Sequence, residues 1–357
     1  PEHPVLIDRF LEDAFEMDVD AVSDGANVVI AGIMEQIEQA GVHSGDSACV
    51  IPTYMVEMQY VEAMRDYTVR LAQELGVIGL LNIQYAMKDG IVYVLEVNPR
   101  ASRTIPFVSK ANGIAWAQVA TQIAARHADP ANPAASNIDL RDYAAYAPSS
   151  DPQEHTLFHV KEVVLPWSRF PGVDTLLGPE MRSTGEAMGT GATFGEAFAK
   201  ALLGCGHRMP TQGTAFLSVN DNDKPNLVPI AGKLFALGFR LLATSGTAAF
   251  LQRSGLDVQP IYKVNEGRPN VVDYIKNGEI HLIINTTRGK ASFFDERAIR
   301  TAAIRHGVPA VTTLSGAAAA VEAIRSLRED VWDVRSLQER SPEQPHPAHP
   351  ATTLPPA

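Results

Sequence analysis

The sequence predicts two folds in succession, an α+β portion built on antiparallel hairpins and then an α/β domain with a parallel sheet. On either side of Asp89-Gly90, residues 83–87 and 91–97 carry apolar side chains at every odd position, the period-two pattern of a half-buried hairpin. Residues 215–328 alternate short apolar strands with helices, the pattern of a parallel sheet covered on both faces. Residues 126–156 and 341–357 are rich in Ala and Pro, with Asn and Asp in the first stretch and His in the second, and have little to bury.

The 357 residues are 45% hydrophobic, enough for two or three cores at the usual ~100–200 residues per domain. A net charge of −11 with no dense Lys/Arg run argues against a nucleic-acid or anionic-membrane surface. No apolar run reaches the ~18–20 residues that span a bilayer, and the first residues show no signal-peptide pattern. Cys49 and Cys205 stand outside any Cys-x-x-Cys or Cys/His grouping, which fits a reducing, cytoplasmic compartment and no structural zinc. The chain enters a strand almost at once, at residues 5–11, which predicts a fragment whose preceding strands lie elsewhere.

In chain order, residues 18–22 and 28–34 read as strands joined by the tight Ser23-Asp24-Gly25-Ala26-Asn27 turn. Residues 41–46, Gly-Val-His-Ser-Gly-Asp, form a glycine-flanked loop whose backbone can approach a ligand. Residues 60–75 read as an amphipathic helix closed by Gly76. In the hairpin that follows, Ile83, Tyr85, Met87, Ile91, Tyr93, Leu95 and Val97 predict a buried odd-numbered face. A three-residue loop, Lys88-Asp89-Gly90, would oppose Gln84 to Val94 and Asn82 to Glu96, with Gln84, Glu96 and Asn98 sharing a face. A two-residue Asp89-Gly90 turn would send Gln84 to the other side. Beyond it come a helix at 115–125, a strand at 158–166 and a helix at 194–203. The second domain reads as strands at 215–219, 239–244, 281–286 and 310–312, interleaved with helices at 227–237, 248–254, 297–306 and 316–328.

Glu96 and Asn98, two apart on one strand, make with Gln84 a hard all-oxygen donor set of low charge. Such a set suits Mg²⁺ or Mn²⁺ that keeps waters and shares its shell with phosphates. Arg100 and Arg103 offer planar donors to those phosphates or to an anionic substrate. In the second domain Thr244-Ser245-Gly246-Thr247 meets a helix start and Asn285-Thr286-Thr287 follows a strand, where parallel sheets bind ligands. Lys224 and Lys263 add positive charge.

Gln84 followed by Glu96-Val97-Asn98-Pro99-Arg100 resembles the metal-binding hairpin of ATP-grasp enzymes. Residues 35–48, 98–104 and 171–186 are similar to the carboxy-terminal part of the large subunit of the carbamoyl phosphate synthase family, up to about residue 325. The resemblance implies α/β and α+β folds: a partial ATP-grasp domain followed by a parallel-sheet methylglyoxal-synthase-like domain. It divides the chain into residues 1–125, the carboxy-terminal half of an ATP-grasp unit; 126–156, a connector; 157–212, a carboxy-terminal extension; 213–330, the regulatory domain; and 331–357, a disordered tail. It implies ATP-dependent phosphorylation of carbamate, with Arg100 and Arg103 catalytic and the metal on Gln84, Glu96 and Asn98. ATP contacts carried over are Arg9 and Leu11 at the adenine, Glu16 at the ribose, Gly41, Val42, His43 and Ser44 in the loop, and Gln84 and Glu96. UMP or IMP would sit on Lys224, Thr244, Thr247, Lys263, Asn285, Thr286 and Thr287, and ornithine on Glu38, Asp46 and Glu162. The implied partner is a glutaminase small subunit, in a homo-oligomer of heterodimers. The alternative is a regulatory module that binds UMP or IMP and is inactive by itself.

Overall fold

The computed structural model describes residues 14–131, 138–146, 157–170, 173–286, 293–329 and 332–340, with Val5 and Leu11 as isolated positions. The strand expected at 5–11, with Arg9, therefore lies outside the described residues apart from its ends, as do Thr287 and the tail from 341.

A seven-stranded, wholly antiparallel sheet organises the first part. Its strands are β1 (Phe15–Asp24), β2 (Val28–Gln36), β3 (Cys49–Ile51), β4 (Ile78–Lys88), β5 (Ile91–Asn98), β6 (Phe158–Val164) and β7 (Gly185–Gly191), in the order β5-β4-β1-β2-β3-β6-β7. Segment 157–212 thus extends the same sheet by two strands. On β1 the odd residues Met17, Val19 and Ala21 are buried against Val61, Met64 and Ala72 of α1 (Met58–Glu74). The other face divides in two. Val22 and Val29 pack under α2 (Ile105–Asn112) and α3 (Trp116–Ala128), with Phe107 and Trp116 at the centre, while Glu16, Asp18 and Asp20 leave the rest of that face polar. Leu140 and Tyr143, from the expected connector, complete the α2–α3 core.

The hairpin departs from the expected register. Its loop has two residues, Asp89 (φ 51°) and Gly90 (φ 76°), both left-handed as a primed turn requires. Met87 pairs with Val92 and Tyr85 with Val94, so the three-residue loop and the pairings of Gln84 with Val94 and Asn82 with Glu96 are corrected. A two-residue turn alone would put Gln84 and Glu96 on opposite faces. A β-bulge at Leu95 restores the parity, so Gln84 pairs directly with Glu96 and Asn82 with Asn98. The same bulge breaks the odd-face pattern on β5, where Val92 and Val97 pack on the core while Ile91 and Leu95 are exposed.

The second sheet is parallel throughout, in the order β10-β9-β8-β11-β12, with β8 (Thr214–Ser218), β9 (Arg240–Thr244), β10 (Gln259–Ile261), β11 (Leu282–Asn285) and β12 (Ala310–Val311). One face is covered by α5 (Lys224–Ala236), α6 (Ser245–Arg253) and α9 (Leu314–Glu329), the other by α7 (Val271–Lys276) and α8 (Phe293–His306). Burial on both faces explains why these strands are continuous apolar runs. The sequence reading missed β3, α2, β10 and α7: the helices have 8 and 6 residues, too few for a periodicity, β3 has three residues, and β10 is a three-residue edge strand containing Pro260.

The two parts are joined by close packing of α9 on α4 (Phe194–Gly204), where Ala319 and Ala323 meet Phe194, Ala197 and Phe198. A Cβ at Gly195 would stand 2.5 Å from the Glu322 carbonyl oxygen. Gly195→Ala is therefore expected to force the helices apart and destabilise the protein by ~1–3 kcal/mol. A chemical-denaturation midpoint equal to that of the unsubstituted protein would show that this helix contact yields freely.

Candidate functional site

Pairing across β1, β4 and β5 sets two polar rows side by side on the uncovered part of the first sheet. One runs Asp18, Gln84, Glu96; the next runs Asp20, Asn82, Asn98. Above them opens a cleft of about 620 Å³. Its floor includes Glu16, Asp18, Asn82, Gln84 and Glu96, and its sides are the 41–45 loop, Arg100 and Arg103, Lys161 of β6, and residues 179–186.

The floor is held by its own hydrogen bonds. The Asp18 carboxylate accepts from the side-chain amides of Gln36, Asn82 (3.3 Å) and Gln84 (3.3 Å). The Gln84 amide nitrogen also donates to Ser44 Oγ at 3.1 Å, so both its protons are committed and its carbonyl oxygen is what Gln84 offers a cation. Asn98 donates to Glu96 Oε1 at 2.8 Å; it supports Glu96 from the side and is not among the residues lining the cleft. Asn82 bridges Asp18 and Asp20, and Thr104 donates to Asp20 at 2.6 Å.

This floor is rich in buried carboxylates. Burial first, then the neighbouring Asp18 and Glu96 carboxylates, push Glu16 up to about 7 against the Gly41 N–H that it accepts. Burial pushes Asp18 up as well, and Asp20 to about 6 against the hydrogen bonds of Thr104 and Asn82. Among the described residues no three His, Cys, Asp or Glu side chains form a metal-binding group. One carboxylate, Glu96, with the Gln84 carbonyl fits a divalent ion that completes its shell with water and phosphate oxygens.

In the loop, Gly41 takes φ 95°, open to glycine at little cost. His43 Nδ1 accepts from the Gly45 N–H at 2.9 Å, so Nε2 carries the proton and can donate to a ligand. The loop is tied to residues 178–183: His43 N donates to Gly178 O, and both Asp46 oxygens accept from the backbone of Arg182 (2.7 Å) and Ser183 (2.8 Å). Arg100 and Arg103 both face the cleft, Arg103 against the Met181 thioether. Lys161, 2% exposed, donates to Ser47 O at 2.7 Å and Ser44 O at 3.4 Å. The sequence reading missed Asp18, Asp20, Asn82, Thr104 and Lys161. Period-two spacing from Glu16 could have found the two aspartates; nothing local marks Lys161, which arrives through β6 pairing with β3.

Of the three acids expected together, Glu38 and Glu162 meet, both raised to about 7 by burial, and Glu38 further by Glu162. Thr313, just before α9, donates to Glu38. Asp46 instead spends its oxygens on the 182–183 backbone, as above. Val42 lines the cleft; Leu11 is half-buried.

In the second domain Ser218, Thr244 and Asn285 converge at the carboxyl ends of β8, β9 and β11. Thr244 makes no side-chain cap to α6; its hydroxyl donates to Thr247 Oγ1 (3.3 Å) and Ser218 Oγ (3.4 Å). Asn285 is 1% exposed and donates to Ser218 O at 3.0 Å, while its Oδ1 is buried with no partner among the described residues. Thr286 accepts from Asn220. The Lys224 ammonium stands 3.3 Å from where a Gly246 side chain would begin, and it pairs with Asp221, which also feels Lys263.

Two family profiles match: the ATP-binding domain of the carbamoyl-phosphate synthase L chain over residues 1–129 and the MGS-like domain over 226–312. A carbamoyl phosphate synthase large chain of Acidobacterium capsulatum is 53% identical over 324 residues, 90% of this chain and 28% of that one. The carbamoyl phosphate synthase large chain, C-terminal section, of Aquifex aeolicus is 50% identical over 322 residues, 90% of this chain and 60% of that one. The chain thus spans less than two thirds of either relative. A solved biotin carboxylase domain of a single-chain bacterial carboxylase aligns with 54% of this chain and 48% of its own at a TM-score of 0.40 and 16% identity, too remote to bear on the site. No helix among the described residues is long and apolar enough to cross a membrane.

The raised carboxylates make a prediction about pH. Between about 4.5 and about 7 the folded state holds protons on Glu16, Glu38 and Glu162 that the unfolded chain has lost. Stability is therefore expected to fall as pH rises through that window. Glu162→Gln removes one of these groups and its repulsion of Glu38, and should flatten part of the slope in thermal midpoint against pH. A slope identical to that of the unsubstituted protein would separate the two acids.

Proposed function

The chain belongs to the carbamoyl phosphate synthase large-chain family, and from that premise we propose that its first part is the carboxy-terminal half of an ATP-grasp unit that phosphorylates carbamate, with the second part its nucleotide-responsive regulatory domain. What carries this reading is the convergence in one cleft of Gln84 and Glu96, the 41–45 loop, Arg100 and Arg103.

A carbamate oxygen attacks the γ-phosphorus of ATP; the new P–O bond forms as the bond to ADP breaks, and ADP leaves with its electron pair. The chemistry asks for positioning and charge neutralisation, and no covalent nucleophile. Mg²⁺ or Mn²⁺ on Glu96 and Gln84, with Asn98 bonded to Glu96, would neutralise charge on the phosphates. Arg100 and Arg103 supply planar donors to the transferring group. Glu16 accepts from the ribose hydroxyls, His43 Nε2–H donates to the nucleotide, and Leu11 borders the adenine, the role the resemblance also gives to Arg9. Lys161 offers the buried cation on the opposite side of the floor. Ammonia for carbamate would come from a separate glutaminase small subunit in a cytoplasmic assembly of heterodimers.

UMP or IMP would bind at Lys224, Thr244, Thr247, Lys263, Asn285 and Thr286, with Thr287 added by the resemblance, and Asn285 Oδ1, which has no partner among the described residues, favours a ligand that donates a hydrogen bond. Glu38 and Glu162, beside Thr313, would receive the ammonium groups of ornithine, and Asp46 would contribute by shaping the loop.

The test is synthesis of ATP from ADP and carbamoyl phosphate by the full-length protein, the reverse of the proposed step. Arg103→Ala is expected to lower kcat by ~10²-fold or more, and Glu96→Gln to weaken metal dependence as well. Undiminished ATP formation in both variants would remove the assignment. By calorimetry UMP should bind the unsubstituted protein and lose affinity by about tenfold or more in Thr247→Ala, which takes away the hydroxyl that Thr244 bonds; equal affinities would place the effector elsewhere.

A further inference from the structure

The wall of the cleft at residues 173–184 has no regular secondary structure, yet Pro179, Met181, Ser183 and Thr184 all line the cleft. Such a segment keeps one conformation only if side chains or backbone groups elsewhere hold it. Toward the cleft it is held by Asp46 and by Ser183 Oγ, which donates to Gly45 O at 2.9 Å. Within the segment Arg182 Nη1 donates to the carbonyls of Asp174 (3.1 Å) and Leu176 (3.4 Å), and the guanidinium lies 5.9 Å from the Trp167 ring centre.

Its outer anchor comes from the other domain. Arg300, on α8, is 1% exposed, and its guanidinium grips Asp174 with two parallel bonds, Nε to Oδ1 and Nη2 to Oδ2, each 2.7 Å. Nη1 of the same group is buried with no partner among the described residues, so this fork with Asp174 carries the charge-assisted bonding of Arg300. The turn Trp167–Arg169 packs on α8 beside it. An unbroken run of bonds thus leads from α8 through Asp174 and Arg182 to Asp46 and the 41–45 loop.

We propose that Arg300 is a positioning residue for the nucleotide cleft, supplied by the second domain: through Asp174 it fixes the 173–184 wall against the 41–45 loop and so sets affinity for ATP. This rests on the reading of the cleft as an ATP site. Arg300 touches no substrate, so loosening it changes how well the wall is formed and leaves the reacting groups intact.

The decisive variant is Asp174→Asn in the full-length protein, which keeps the side-chain shape and removes the ionic fork; Arg300→Lys tests the other side, retaining the charge without the planar pair. Both are assayed for ATP-dependent carbamate phosphorylation and for backbone hydrogen exchange. In Asp174→Asn the KM for ATP is expected to rise about tenfold, the ordinary size of coupling between sites, with kcat within about twofold. Exchange at 173–184 should quicken while that of β8 and β11 stays unchanged, a pattern general destabilisation would not give. An unsubstituted protein that binds ATP and an Asp174→Asn variant with the same KM would overturn the inference alone. An unsubstituted protein that does not bind ATP would overturn the reading of the cleft, and this inference with it.

Discussion

The direct cross-strand pairing of Gln84 with Glu96 is the constraint on which the first domain's chemistry depends. Strand parity allows no compromise: a residue faces either the α1 core or the cleft. The Asp89-Gly90 turn and the Leu95 bulge each shift the register by one, and their effects cancel on the cleft side. Either alone would bury one ligand and expose the other. The bulge also leaves Leu95 in the cleft wall, an apolar group beside the donor set.

Around that pair the protein has gathered more negative charge than it neutralises. Glu16, Asp18 and Asp20 lie on successive cleft-side positions of β1, and burial holds all three above the ordinary carboxylate range. The amides of Gln36, Asn82 and Gln84 soften the cost for Asp18, because each donates to it without bringing charge. Lys161 approaches from β6, but its bonds go to backbone carbonyls of the loop. A floor of this kind has a standing demand for cations, which fits a divalent ion and the guanidinium groups of Arg100 and Arg103.

The second domain is fastened to the first in two different ways. At α4 and α9 the contact is close apolar packing, helped by the missing side chain of Gly195. At α8 it is the ionic fork of Arg300 on an irregular segment, with the Trp167–Arg169 turn packed beside it. Packing of the first kind resists sliding, whereas the second grips a wall that is also bonded within itself and to residues 43–46. The Glu38–Glu162–Thr313 cluster again combines residues from both domains.

Much of this could be read from the chain alone wherever the information is local. The period-two run of residues 83–97 marked the β4–β5 hairpin, the apolar spacing of residues 60–75 marked α1, and Glu96-Val97-Asn98-Pro99-Arg100 marked the donor strand, because side-chain direction in a regular element follows from spacing. Short pieces such as α7 and β10 left no such trace. What folding in three dimensions decided was which distant groups meet: Asp46 with the backbone of residue 182, 136 positions away, and Arg300 with Asp174, 126 positions away. It also decided the parity of Gln84, since a bulge is a property of two strands together and neither strand's sequence states it. Sequence specified the chemical groups, and sheet order with domain docking specified their partners, because hydrogen bonds and ion pairs act over a few ångströms whatever the distance along the chain.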